Sequence, residues 1–234
     1  MNDVETKILN DLKIDAVLNS LIEETSKLNL KQSDYIKLMN ALMDISLEKK
    51  GESESDNKVE DYKKIKKVSL PLVGEQVKIR LFKNDFELVK KWLKDDIGKW
   101  FLLSSSSSRD KTIDQLVNNE RNILGIITLS DNTPIGLMGF LDCDNVSHKA
   151  EMRKLIGETE HRGKGYAKEA TSLWIKYGFG NLGLKKVYLH TIENSIRNIT
   201  INKELGFEIE GVLRKECFVE GNYYDILRMS LIIE

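Results

Sequence analysis

Cysteine and histidine are scarce in this sequence of 234 residues, which contains two cysteines, Cys143 and Cys217, and three histidines. Two cysteines make no disulfide framework, and the few cysteines and histidines show no spacing typical of metal ligands. The sequence therefore predicts reduced thiols, no metal site and a cytoplasmic location.

An excess of one charge and long apolar runs are also missing. The formal net charge is −1 at pH 7, so no broad positive field would attract a nucleic-acid duplex. No apolar run approaches the length that crosses a bilayer, and the charged N-terminus has no apolar signal core. We therefore expect a soluble intracellular protein that binds neither nucleic acid nor membrane.

Glycine and proline are absent from the first 50 residues. Apolar residues recur there at spacings near 3.6, which predicts a small helical extension over residues 1–48. The charged, polar stretch 49–75 has the composition of a linker. Short helices bury little surface alone, so their apolar faces need a partner. Packing against the rest of the chain, or against a second subunit in a homodimer, is the favoured interpretation, and docking of another protein is the alternative.

From residue 76 onward the pattern alternates between strands and helices, which predicts an α+β domain with a mixed sheet. Predicted strands lie at 78–82, 123–129, 134–141 and 149–158, and predicted helices at 85–94, 112–119 and from 168 to about 180. A run of five serines at 104–108 is expected to be a loop.

The segment Arg162-Gly163-Lys164-Gly165-Tyr166-Ala167 lies between a predicted strand and a predicted helix. The first N–H groups of a helix have no partner within it and lie at the positive end of its dipole, so they suit a phosphate or pyrophosphate. Glycines allow the backbone to approach such an anion closely. A tight turn without a ligand is the alternative.

The spacing Arg162-x-x-Gly165-x-Ala167 resembles the signature of the GNAT acetyltransferase superfamily, and later segments match the same family in the same order. These are Leu182-Gly183-Leu184-Lys185-Lys186-Val187-Tyr188-Leu189, like its fifth strand; Asn202-Lys203-Glu204-Leu205-Gly206-Phe207, like the end of its following helix; and Glu210-Gly211-Val212-Leu213-Arg214 with Gly221-Asn222-Tyr223-Tyr224-Asp225-Ile226-Leu227-Arg228-Met229, like the closing strands of its RimJ/RimL-like and amino-sugar branch. The resemblance covers residues 76–234. It implies a GNAT-type mixed central sheet flanked by helices, whose fourth and fifth strands splay apart to admit acetyl-CoA.

The resemblance also implies which residues hold acetyl-CoA, the expected co-substrate. The pyrophosphate would lie on Arg162, Gly163, Lys164, Gly165, Tyr166 and Ala167, and the pantetheine arm along Leu155, Ile156 and Gly157, with Asn194, Asn198 and Asn202 as hydrogen-bonding partners.

Glu151 is the candidate general base, because it stands where many members of the family carry a glutamate that deprotonates the amine through water. Strand alternation places Glu151, Arg153 and Leu155 on one face. The alternative for Glu151 is a structural ion pair with Arg153 or Lys149.

At the positions where the family carries the proton donor for the thiolate leaving group, this chain has different residues. Many members carry a tyrosine where this chain has Asn202, and the RimL-like pattern has a serine where it has Asn198. Asparagine donates a hydrogen bond but does not readily transfer a proton. Asn198 and Tyr223 are the remaining catalytic candidates, although Tyr223 also suits plain packing. His190 is expected to be a satisfied core histidine.

These residues predict an acetyl-CoA-dependent N-acetyltransferase that acts by direct transfer in a ternary complex, since no cysteine stands out as an acyl-carrying nucleophile. The favoured acceptor is the primary amine of a small molecule, either a nucleotide-linked amino sugar or a polyamine. A protein N-terminus is one alternative. A catalytically silent acyl-CoA-binding scaffold that docks partners through its N-terminal helices is the other.

Overall fold

The computed structural model describes residues 16–17, 19–21, 23–25, 27–28, 32–46, 59, 61–62, 65–95, 98, 101, 112–192, 196–219 and 221–233. The chain divides into two compact units, Met1–Lys49 and Lys50–Glu234. The first unit contains helix α1 (Gln32–Ser46), in keeping with its apolar periodicity. The serine run 104–108 lies outside the described residues. Within these ranges no helix is long and apolar enough to span a bilayer.

The second unit alternates strands and helices in the predicted order, with one additional strand at its start. Its elements are β1 (Leu72–Val73), β2 (Val77–Leu81), α2 (Phe86–Leu93), α3 (Ile113–Asn118), β3 (Ile123–Leu129), β4 (Pro134–Asp144), β5 (Lys149–Ile156), α4 (Tyr166–Leu182), β6 (Lys186–Ile192), α5 (Ile196–Glu204), β7 (Glu208–Val219) and β8 (Asn222–Ile232). A 3-10 turn (Thr159–His161) lies between β5 and α4. The predicted α+β class is confirmed.

All eight strands form one sheet in the order β1-β2-β3-β4-β5-β6-β8-β7. Strands β5 and β6 are parallel neighbours, and the other neighbouring strands run antiparallel. A parallel pair needs a crossover connection, which α4 supplies. This crossover places the turn from β5 into α4 at the end of the parallel pair.

Helices cover both faces of the central strands. On one face, Trp174 of α4 stacks on Phe140 of β4 with ring centroids 5.2 Å apart, and Gly125 of β3 leaves room for the indole. On the other face, α2 and α3 bury a cluster that includes Leu137 of β4 and Leu155 of β5. Successive residues of a strand point to opposite faces, so β5 contributes side chains to both layers.

The second half of the stretch 49–75, whose composition predicts a linker, is packed on the domain. Leu72 in β1 is buried, and Val68 exchanges two 2.9 Å hydrogen bonds with the side chain of Asn181. Tyr62 packs edge-on against Phe179 with ring centroids 5.8 Å apart. A few apolar residues placed at suitable intervals anchor this segment although its average composition is polar.

Candidate active site

Strands β5 and β6 separate at the centre of the sheet. Their ladder consists of Lys149 with Lys186, Ala150 with Val187 and Glu151 with Tyr188. The register ends there, although β5 continues to Ile156 and β6 to Ile192. Beyond Glu151 the edge of β5 therefore faces an opening instead of a paired strand. We call this opening the strand gap, and it matches the splaying that the resemblance predicts.

The loop at the end of β5 leads directly into the N-terminus of α4. Gly163 and Gly165 have φ of 83° and 89°, a conformation that favours glycine. A Cβ atom added to Gly165 would meet nothing within 4 Å, so the space in front of the helix is open. The first bonds inside α4 run from Lys168 and Glu169 to the carbonyl of Gly165. The preceding N–H groups have no acceptor within the helix and suit an anion of the size of a pyrophosphate.

Arg162 holds this loop in shape through its own contacts. Its Nε donates to the carbonyl of Ile156 at 2.9 Å and its Nη2 to the carbonyl of Gly157 at 3.2 Å, while Nη2 also pairs with the carboxylate of Asp95 just beyond α2. Arg162, the arginine of the family signature, therefore stabilises the conformation of the loop. Lys164 is exposed and is a cation available at the rim.

Helix α2 anchors the start of the same loop. Trp92 Nε1 donates to Glu158 Oε1 at 2.8 Å, and Lys91 Nζ lies 3.1 Å from the same carboxylate. Gly157 lies against the indole of Trp92, and a Cβ atom at this position would overlap the ring. The glycine is thus required by packing, independently of any ligand.

The variant Gly157→Ala is expected to lower the free energy of unfolding by about 1–3 kcal/mol, the usual cost of overpacking a filled core. Trp92 is 1% exposed, and the added methyl would lie 2.1 Å from its ring. Denaturant unfolding measures the loss. Gly139→Ala is the matched control, because its methyl would lie 3.0 Å from the movable end of Leu124 and at ordinary contact distance, 3.4 Å, from Leu141 and Phe101. Equal losses in the two variants would contradict the assignment.

Glu151 is buried at the inner end of the strand gap, with 1% of its surface exposed. Arg153 Nε donates to its Oε1 at 2.6 Å, and His190 Nδ1 lies 2.9 Å from the same oxygen. Burial raises the pKa of this carboxyl, but the charge of Arg153 and the contact with His190 outweigh burial and hold the pKa below its ordinary value. The ion pair that formed the alternative interpretation is present, and the carboxylate is also joined to a histidine.

The contact between Glu151 and His190 fixes the tautomer of the imidazole. An ionised carboxylate can only accept hydrogen bonds, so Nδ1 must carry the proton. Nε2 is buried and has no hydrogen-bond partner among the described residues. The expectation of a satisfied core histidine is therefore wrong for this ring nitrogen. A neutral His190 presents a lone pair at Nε2 and is able to accept a proton.

On the other face of β5, Lys154 meets helix α5. Lys154 Nζ donates to Asn202 Oδ1 at 2.7 Å, and Asn202 is 1% exposed. Asn202 Nδ2 lies 3.9 Å from Met229 Sδ. Asn202, one of the predicted site residues, thus lies against β5. Its hydrogen-bonding partner there is Lys154, which the sequence did not indicate as a site residue.

The other predicted residues lie in different surroundings. Asn198 is on the exposed side of α5, and Asn194 lies outside the described residues. Tyr223 is 60% exposed and packs at a tilt against Phe218, with ring centroids 4.7 Å apart. This geometry is that of the packing alternative for Tyr223.

Sequence reasoning missed His190 and Lys154, although each left a signal. Lys154 alternates with Met152 and Ile156 on one face of β5, where a cation among apolar neighbours is unusual. Tyr188 of β6 lies opposite Glu151 in the parallel pair. His190 is two residues beyond Tyr188 and therefore lies on the same face of the sheet as Glu151. A cation among apolar neighbours is the pattern that would have found Lys154, and the face shared with Glu151 is the pattern that would have found His190.

Comparison with known proteins identifies similar sequences and folds. The family model described as "Acetyltransferase (GNAT) domain" matches residues 76–208, which is more than half of the chain. The spermidine N(1)-acetyltransferase of Escherichia coli (strain K12) is 36% identical over 101 residues, which make up 43% of this chain and 54% of that protein. The chain therefore spans about half the length of this relative.

A second relative is aligned over a larger part of the chain. The SPbeta prophage-derived uncharacterized N-acetyltransferase YokL of Bacillus subtilis (strain 168) is 29% identical over 157 residues, 65% of this chain and 87% of that protein. Among solved structures, the spermidine N-acetyltransferase of Vibrio cholerae in complex with CoA and spermine superposes with a TM-score of 0.59. That superposition covers 68% of this chain and 96% of the other at 24% identity, and it demonstrates the shared fold.

Proposed function

Because the chain belongs to the GNAT acetyltransferase family, we propose that it is an enzyme that transfers the acetyl group of acetyl-CoA to the amine of a small molecule. The observation that carries this proposal is the open cradle in front of Gly165 at one end of the strand gap, with the Glu151–His190 pair at the other. A cradle for an anion and a buried proton acceptor at the two ends of one gap are the two elements that this reaction needs.

Acetyl-CoA would supply an activated acetyl thioester. Its pyrophosphate would lie on the N–H groups of the Gly163–Ala167 loop, with Lys164 adding a positive charge at the rim. Its pantetheine arm would follow the free edge of β5 from Gly157 through Ile156 and Leu155. We infer this path because β6 offers no ladder partner beyond Glu151, which leaves main-chain groups available on that edge.

The acceptor amine has to lose a proton before it can attack. An ordinary lysine-like amine with a pKa of about 10.4 costs roughly 4.6 kcal/mol to hold neutral at pH 7. We assign the acceptance of this proton to His190 Nε2. Glu151 holds the imidazole in the required tautomer and stabilises its charged form, and Arg153 keeps Glu151 ionised. Glu151 is thus part of the base, acting through the histidine.

Direct transfer in a ternary complex is the mechanism we propose. A covalent route would need a thiolate nucleophile, and burial raises the pKa of Cys143 to about 11. Burial also raises the pKa of Cys217 above its ordinary value. Both thiols stay protonated near neutral pH and are poor nucleophiles.

Two small-molecule acceptors are supported by different observations. The similarity to spermidine N(1)-acetyltransferase favours a polyamine. The side chains near His190 favour an amine that also carries negative charge, such as a nucleotide-linked amino sugar: Arg228 stacks on Tyr188 with its guanidinium carbon 4.3 Å from the ring centroid. Arg228 and Lys186 share the single carboxylate of Glu210, so a net positive charge remains at this cluster.

A thiol-release assay with acetyl-CoA tests the activity and separates these acceptors. The panel contains spermidine, nucleotide-linked amino sugars and short peptides with free N-termini, so that the protein N-terminal alternative is included. Saturable turnover with one small amine is the expected result. Absence of turnover together with absence of acetyl-CoA binding would contradict the proposed function.

A further inference from the structure

The departing coenzyme A sulfur has no tyrosine or serine donor at the two positions that the family resemblance indicates, which here are Asn202 and Asn198. Asn202 nevertheless holds a group with transferable protons. The ammonium group of Lys154 donates to its side-chain oxygen at 2.7 Å. Lys154 is on β5 three residues beyond the end of the parallel ladder, and therefore along the strand gap.

The surroundings of Lys154 are those of a solitary, partly enclosed cation. Asn202 is the acceptor that Nζ reaches among the described residues. Carboxylates on the same two elements pair with other cations: Glu204 of α5 pairs with Lys168 at 2.6 Å, and Glu151 of β5 pairs with Arg153 at 2.6 Å. The residue as a whole is half-buried, and its ammonium group is enclosed where it meets Asn202.

Burial lowers the pKa of Lys154 to about 8. Such an ammonium group is largely protonated at pH 7 but gives up its proton more readily than an ordinary lysine. A simple thiol has a pKa of about 8.5, so proton transfer from this lysine to a thiolate is close to balanced. An ordinary lysine with a pKa of about 10.4 would be a much weaker donor.

We propose that Lys154 is the proton donor to the coenzyme A sulfur and that Asn202 is the residue that positions its ammonium group. As the carbon–sulfur bond breaks, its electron pair remains on sulfur and a proton moves from Lys154 Nζ to that sulfur. Lys154 is left neutral and regains a proton from solvent, while the proton of the amine leaves through His190. This inference rests on the proposed function.

Titration of the bound coenzyme A thiol is the test, with the full chain and no acceptor. Thiolate absorbance in the ultraviolet is recorded against pH for the wild-type protein and for Lys154→Met, after correction for each protein without ligand. An ammonium group within about 4–6 Å lowers the pKa of an acid by about 1–3 units. We expect the pKa of the bound thiol to be about 1 unit or more higher in Lys154→Met than in the wild type. A purely structural lysine would not produce this difference.

Turnover gives a second readout. We expect kcat to fall by about 10² in Lys154→Met, the lower end of the range for general acids, because a thiolate leaves easily without help. Asn202→Ala should shift the thiol pKa in the same direction by less. Lys78→Met on β2 is the control, since Lys78 Nζ bonds the carbonyl of Ser130 at the far side of the sheet.

The outcomes separate this inference from the proposed function. Equal thiol pKa values in the wild type and Lys154→Met, with coenzyme A bound to both, would overturn the role of Lys154 and leave the acetyltransferase proposal intact. Failure of the wild-type protein to bind coenzyme A would overturn both. Removal of a buried charge is not expected to prevent folding, and thermal unfolding of Lys154→Met checks this. If the variant does not fold, Asn202→Ala decides the inference by the same titration.

Discussion

The variant His190→Gln is expected to lower kcat by about 10²- to 10⁴-fold, the usual contribution of a positioned general base, with acetyl-CoA affinity nearly unchanged. Glutamine retains hydrogen-bonding capacity beside Glu151 but has no group that titrates. Steady-state kinetics with the acceptor identified by the amine panel gives kcat, and calorimetry gives the affinity. A drop in affinity without a drop in kcat would contradict the assignment of His190 as the base.

Two further variants sharpen this test. His148→Asn is the matched control, because His148 is exposed in the turn before β5 with φ of 49°, a conformation that asparagine tolerates.

Glu151→Gln should also lose activity, since the amide donates to Nδ1 and moves the imidazole proton to Nε2. It should lose stability as well, because Arg153 is left buried without its carboxylate. The lowered pKa of Glu151 means that the ion pair stabilises the fold above the ordinary glutamate pKa and is lost as pH falls through the lowered value.

The variant Gly165→Asp is expected to weaken acetyl-CoA binding by about 10²-fold or more. The side chain would enter the open space in front of α4, at the point where the pyrophosphate is proposed to lie, and its negative charge would repel the ligand. Loss of a charge-assisted contact of this kind accounts for roughly 1.5–3 kcal/mol, and repulsion adds to it. Calorimetric titration with acetyl-CoA and with free coenzyme A measures the loss.

Gly183→Asp is the matched control for this prediction. Gly183 caps the other end of the same helix with φ of 66°, and an added Cβ atom would likewise meet nothing within 4 Å. The two variants therefore share the backbone strain and the added charge but differ in their distance from the cradle. Equal weakening in both, or unchanged affinity in Gly165→Asp, would show that the cradle does not bind the ligand.

Most of the second unit was predictable because its signals are local. The apolar pattern located β3 and β5 to within two residues. The helix predicted from residue 112 corresponds to α3, where the structure shows the side chain of Thr112 accepting from Gln115 N. Strand β1 escaped prediction because two residues carry no periodicity. The irregular pairing between Leu141 and Asp144 extends β4 beyond its predicted end, since the strand continues past a break in its alternation.

The site was predictable only where its chemistry lies in one segment. The glycine loop is contiguous, so its spacing alone makes it a candidate, and Glu151 is a candidate through its position in the family pattern. The contacts of Glu151 with His190 and of Lys154 with Asn202 join residues 39 and 48 positions apart. Alternation indicates the face on which a residue lies, but it does not indicate which residue of a distant element meets it. The same limit applies to Arg162. Its spacing from the glycines indicates where the loop is, but its structural role follows from the main-chain carbonyls to which it donates, and the sequence does not indicate these partners.

The contacts that α2 and the adjacent Asp95 make with Glu158 and Arg162, just before the glycine loop, have a thermodynamic consequence for the ligand. With Glu158 held by Trp92 and Arg162 held by Asp95, the loop loses its conformational freedom when the domain folds. Little ordering entropy then remains to oppose binding, and preorganisation of this kind raises affinity without any new contact. Loosening α2 should therefore weaken acetyl-CoA binding through an unfavourable change in binding entropy, even though no residue of that helix would touch the ligand.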